Sequence, residues 1–105
     1  MLNTYTLGVY MLYKYYGVVC GVDYDNQKVV RDFIVKTVEP LDFNLLQYRG
    51  LNKVLAVKYR RDIIGENRTY RSETLQTWNW DIIPKRLRKQ ANDLFDDIVI
   101  ETMED

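Results

Sequence analysis

At 105 residues the chain is long enough for one hydrophobic core and too short for two. Hydrophobic residues make up 47% of it and charged ones 29%, the balance of a soluble globular domain rather than a disordered segment. Its 15 basic and 15 acidic residues cancel, so any polyanion or membrane surface would have to be met by a local basic patch.

One cysteine and no histidine narrow the chemistry further. No imidazole-based triad, Cys-His nucleophile pair, zinc site or internal disulfide can be assembled from this inventory. Cys20 sits in the apolar run Val18-Val19-Cys20-Gly21, where a thiol behaves as a small buried hydrophobe. Gly-rich phosphate loops are absent, and Asp23 and Asp25 read as turn-flanking carboxylates rather than a catalytic pair. The chain is therefore expected to be neither an enzyme nor a holder of a cofactor.

Along the chain, the first sixteen residues give conflicting signals. Leu2, Tyr5, Val9, Leu12, Tyr13 and Tyr16 follow helical spacing better than alternation, and Asn3 or Thr4 can cap a helix that Gly17 ends. The tyrosines of the same stretch favour strand by propensity. The expectation leans to a helix over 4–16. Lys14 and five tyrosines interrupt the apolar run from Leu2 to Cys20, so it makes a poor membrane span. With no secretory leader pattern visible, a cytosolic protein without membrane contact is expected.

From Gly17 the pattern turns to β. Val18 to Tyr24 and Lys28 to Val38 read as a hairpin across the polar turn Asp25-Asn26-Gln27, and Pro40, which cannot donate to a ladder, should end the second strand. Residues 41–51 form a connection or a short edge element, closed by Arg49-Gly50. Lys53 to Arg60 is apolar on both parities, as a doubly buried strand would be, and Arg68 to Leu75 returns across a turn holding Gly65. Asp81 can cap a helix over 82–101, and Pro84 is tolerated in its first turn. Leu87, Ala91, Leu94, Phe95 and Ile98 build one apolar face on that helix, with Trp78 and Trp80 ahead of it to cover the end of the β unit. There is no linker or repeat, so 1–105 is read as one domain.

One stretch carries more than periodicity. Lys36-Thr37-Val38-Glu39-Pro40-Leu41-Asp42-Phe43, the Gly50 to Ala56 spacing and Arg68-Thr69-Tyr70-Arg71-Ser72 follow one another in an order that resembles the WYL domain family. The resemblance is strongest over 36–75, and Asn52, Lys53 and Val54 occupy the positions of the Trp-Tyr-Leu triplet. It implies a small antiparallel Sm-like β-barrel of about five strands over 17–80, an α+β fold with its C-terminal helix, and a regulatory, ligand-sensing role. Domains of that family usually follow a helix-turn-helix, for which this chain has no room.

In the resembled family the arginines of this motif help line the ligand pocket, which points to Arg68 and Arg71. A guanidinium presents planar paired donors to phosphate and stacks on rings. Tyr24, Tyr59 and Tyr70 can supply stacking surface for a single strand, and Lys53 adds charge where the family has an aromatic. On a strand, residues three apart face opposite sides, so Arg68 and Arg71 share a site only across a bulge or strand end. The plainer alternative pairs them with Glu66 or Glu73 as solvated strand charges.

The expected function is non-catalytic recognition of an anionic ligand, single-stranded nucleic acid or a nucleotide. The rival is a protein-binding accessory or phage-type inhibitor using the last helix. That helix carries Lys85, Arg86, Arg88 and Lys89 at its start and Asp93, Asp96, Asp97 and Glu101 further on, against the helix dipole at both ends. The same segregation would suit an antiparallel homodimer.

Overall fold

The computed structural model describes residues 12–103. β1 (Leu12–Asp23) and β2 (Lys28–Thr37) pair antiparallel, from Tyr13 opposite Thr37 to Val22 opposite Lys28. Their turn is held by local chemistry: the Asp23 carboxylate accepts the N–H groups of Asp25 and Gln27, and Asn26 takes a positive φ of 63°. β2 ends at Thr37, ahead of Pro40. A 3-10 segment, Phe43–Arg49, follows; Asp42 accepts the Asn44 N–H at its start, and Gly50 closes it at φ 81°.

β3 (Leu51–Ile64) runs along the other side of β1 for almost its whole length, from Asp23 opposite Leu51 to Leu12 opposite Ile64. β4 (Thr69–Arg71) and β5 (Leu75–Gln76) both add to the outer side of β3. Helix α1 (Lys85–Met103) closes the described chain. The fold is α+β: an antiparallel five-stranded sheet in the order β2-β1-β3-β4, with β5 also on β3, and a C-terminal helix.

Both faces of the sheet are covered, which explains the apolar residues on both parities. On one face Val18, Cys20, Val30 and Ala56 meet Trp80, Ile83, Leu87, Ala91 and Phe95. On the other, Tyr15, Val19, Phe33, Leu51 and Val57 meet Leu46 of the 3-10 segment. Each fully buried aliphatic side chain here contributes about 1.5–3 kcal/mol relative to exposure. The central strand is also bent. Register slips between Cys20 and Gly21 and between Val22 and Asp23, and a Cβ on Gly21 would stand 2.5 Å from the Lys53 carbonyl oxygen.

Four expectations change. Residues 12–16 are strand, not helix, and Gly17 lies inside β1 rather than ending a helix; positions 4–11 of the expected helix lie outside the described residues. Tyr15 and Tyr16 are buried on opposite faces, so two-sided burial erased the alternation that marks a strand. The sheet is not closed into a barrel: among the described residues β2 pairs only with β1, and β4 and β5 only with β3. The stretch 68–75 is two short strands separated by Ser72, Glu73 and Thr74 rather than one. Asp81 does not cap α1. It lies in a separate 3-10 turn, Trp80–Ile82, and the Pro84 carbonyl accepts the Arg88 N–H at 2.9 Å as the helix begins.

Candidate functional site

The hairpin of β3 and β4 carries the arginine motif. Its turn is closed by the Gly65 N–H donating to the Arg68 carbonyl at 2.9 Å. Tyr70 stands opposite Ile63 and Arg71 opposite Asp62, so the two side chains leave opposite faces of the sheet. Arg68 precedes the strand and lays its guanidinium over the Tyr70 ring, 5.1 Å from the centroid. Tyr70 is 51% exposed and Arg68 is exposed, so the stacked pair faces water.

Arg71 has a different environment. Its Nε lies 3.9 Å from an oxygen of Asp62, a carboxylate that is 4% exposed and receives the Tyr16 hydroxyl at 3.2 Å. Its partner is thus Asp62, not Glu66 or Glu73. Beyond it, Ser72 ties the strands by receiving the Arg61 N–H at 2.8 Å and returning its own N–H to the Arg61 carbonyl.

The other residues of the expected site lie elsewhere. Tyr59 packs against Phe43 at 4.8 Å and Tyr15 at 6.0 Å between ring centroids, within the layer under the 3-10 segment. Burial raises its hydroxyl above the ordinary range, with Tyr15 adding to the rise and Arg61 opposing it. Tyr24 is exposed in the β1–β2 turn, and Lys53 is exposed on β3 opposite Val22. Ten residues of β1 separate Asp23 from Tyr13, which lies beside Ile63, so these two groups sit roughly 30 Å from Tyr70. The six residues fall into four places. Only Arg68 and Tyr70 touch.

No protein-family model, curated protein or solved structure matches this chain.

Two further surfaces stand out, and the first corrects an expectation: Trp80 covers the sheet but Trp78 does not. Trp78 is 88% exposed and Ile82 74% exposed, while Trp80 between them is 2% exposed in the core under α1. Nothing in the alternation Trp78-Asn79-Trp80 says which indole turns inward; the Asn79 amide, bonded to the Leu55 carbonyl, fixes it. The second is a groove of about 510 Å³ between β3 and α1, with Lys58 and Arg60 on one wall and Phe95, Asp96 and Val99 on the other. Lys58 is engaged there, donating to Asn92 at 2.9 Å with its ammonium 5.2 Å from the Phe95 ring centroid. Arg49 is engaged as well, reaching the Asp32 carboxylate and carbonyl at 2.9 Å each across the edge of β2.

Among the described residues, no three of His, Cys, Asp and Glu stand close enough to hold a metal ion, and no helix is long and apolar enough to cross a membrane. Cys20 is buried, and burial pushes its thiol up to about 12.

Proposed function

We propose that this chain is a non-catalytic binding domain for an anionic ligand, with single-stranded nucleic acid or a nucleotide as the ligand class. The observation that carries this reading is the solvent-facing Arg68–Tyr70 stack. The guanidinium lies over the ring, and no carboxylate lies within ion-pair distance of Arg68 among the described residues. Its donors are free for a phosphate while base and ring stack beside it. Arg71, held by Asp62 on the opposite face, serves the hairpin rather than the ligand. Tyr24 and Lys53 are too far away to join the same contact. The WYL assignment, and the regulatory role it implies, rests on the sequence pattern of 36–75.

Titration of a labelled oligonucleotide, followed by fluorescence anisotropy, tests the reading. Affinity should fall steeply as salt rises. Arg68→Ala and Tyr70→Leu should each cost roughly 1–3 kcal/mol of binding, and Lys53→Ala should cost much less. No binding at low salt, or undiminished binding by the Arg68 variant, defeats it.

The second reading, a protein-binding accessory module, is favoured by one observation. Trp78 and Ile82, four residues apart in sequence, are both left largely in solvent, and exposed large apolar side chains of this kind are what protein partners cover. Native co-purification scored for protein and for nucleic acid separates the two.

A further inference from the structure

We propose that α1 is also a self-association surface, pairing antiparallel with α1 of a second copy across a two-fold axis. This inference is independent of the ligand-binding reading. The outward row of the helix is Arg86, Lys89, Asp93, Asp97 and Ile100, spaced by three and four residues and exposed throughout. It lies opposite the buried row Leu87, Ala91, Phe95 and Ile98 that packs on the sheet.

The charges along this row are segregated in the sense that an isolated helix disfavours. No acidic residue stands in the first turn and no basic one in the last, so both ends oppose the macrodipole. Intramolecular pairing does not compensate. Among the described residues the only ion pair made by α1 is Lys89 to Asp93 at 3.2 Å, within the helix itself. Lys85, Arg86, Asp96, Asp97 and Glu101 have none.

A second helix running the opposite way resolves the arrangement. Centred on Asp93, the antiparallel pairing sets Lys89 against Asp97 of the other copy, twice over by symmetry, and lays Arg86 over its Ile100. Lys89, already beside Asp93, screens the two Asp93 carboxylates that approach the axis. The two macrodipoles also run head to tail. Ile100, 58% exposed, is the one apolar residue of the row, so the interface is small and mainly electrostatic. Such a dimer weakens as salt screens it.

Sedimentation equilibrium of the full chain at low and high salt reads the outcome, with a charge swap to identify the contact. The wild-type chain is expected to dimerise at low salt and to dissociate at high salt. Lys89→Glu alone and Asp97→Lys alone should each weaken the dimer about tenfold, because symmetry doubles every like-charge contact. The double variant Lys89→Glu/Asp97→Lys should restore it, since the reversed charges meet again across the axis. Because Lys89→Glu also removes the Lys89–Asp93 pair within the helix, far-UV circular dichroism of each variant is read beside sedimentation, and helix content is expected to stay at the wild-type level. A wild-type monomer at low salt, or a double variant no better than the single ones, overturns the proposal.

Discussion

The Tyr16 hydroxyl and the Asp62 carboxylate meet at 3.2 Å between β1 and β3, and both residues are closed off from water. Among the described residues Asp62 makes one ion pair, with Arg71, at a distance too long for a hydrogen bond. Tyr16→Phe removes the donor and leaves a buried carboxylate with a loose ion pair. The expected loss is about 1–3 kcal/mol of unfolding free energy, read from the urea midpoint.

The same pair gives the protein a sensitivity to alkali. Burial raises the Tyr16 hydroxyl above its ordinary 10.0, with the Asp62 charge and hydrogen bond adding to the rise. Tyr59 is raised too, and Cys20 goes from 9.0 to about 12. All three are neutral when protonated, so the folded chain binds these protons more tightly than the unfolded chain does. Their contribution to stability is full below pH 9 and is lost as pH rises, through Cys20 first and the two tyrosines above pH 10. Denaturant midpoints measured from pH 8 to strong alkali should fall across that window, and Cys20→Ala should delay the onset.

Gly17 is fixed by its neighbour strand. A Cβ there would lie 2.1 Å from the Lys58 carbonyl oxygen and 2.7 Å from the Tyr59 Cα, both backbone atoms that no rotamer change can move. Gly17→Ala should therefore cost more than about 3 kcal/mol, beyond ordinary overpacking. A variant with wild-type melting behaviour would refute this packing.

The two tryptophans should separate cleanly in solution. Trp80→Ala empties a core position and should cost about 3–5 kcal/mol, whereas Trp78→Ala should stay within about 0.5 kcal/mol. Iodide should quench the indole emission of the Trp80→Phe variant, which keeps only Trp78, far more than that of the Trp78→Phe variant.

How much of this was legible depended on how local the cause was. The β1–β2 turn was, because Asp25-Asn26-Gln27 and the Asp23 carboxylate act within a few residues. The helix was, because Leu87, Ala91, Phe95 and Ile98 repeat on one face. The strand character of residues 12–16 was not, since Tyr15 and Tyr16 are both buried and the alternation vanishes. The candidate site was legible only within one hairpin. Arg68 and Tyr70 are neighbours in sequence and in space, while placing Tyr24, Tyr59 and Lys53 requires the register of β1 against β3. That register arises from long-range packing and leaves no mark on the sequence.

The lone thiol has a consequence of a different kind. Cys20 lies toward the end of the central strand, packed in the layer under α1, with no exposed surface in the folded state. A thiol reagent can reach it only after β1 has lost its neighbours, an event that requires near-global opening. The chain thus carries an internal timer of its own unfolding. At neutral pH the labelling rate of Cys20, divided by that of an unfolded control, should report the global opening equilibrium without any added probe. Fast labelling under native conditions would mean that the central strand opens independently of the rest.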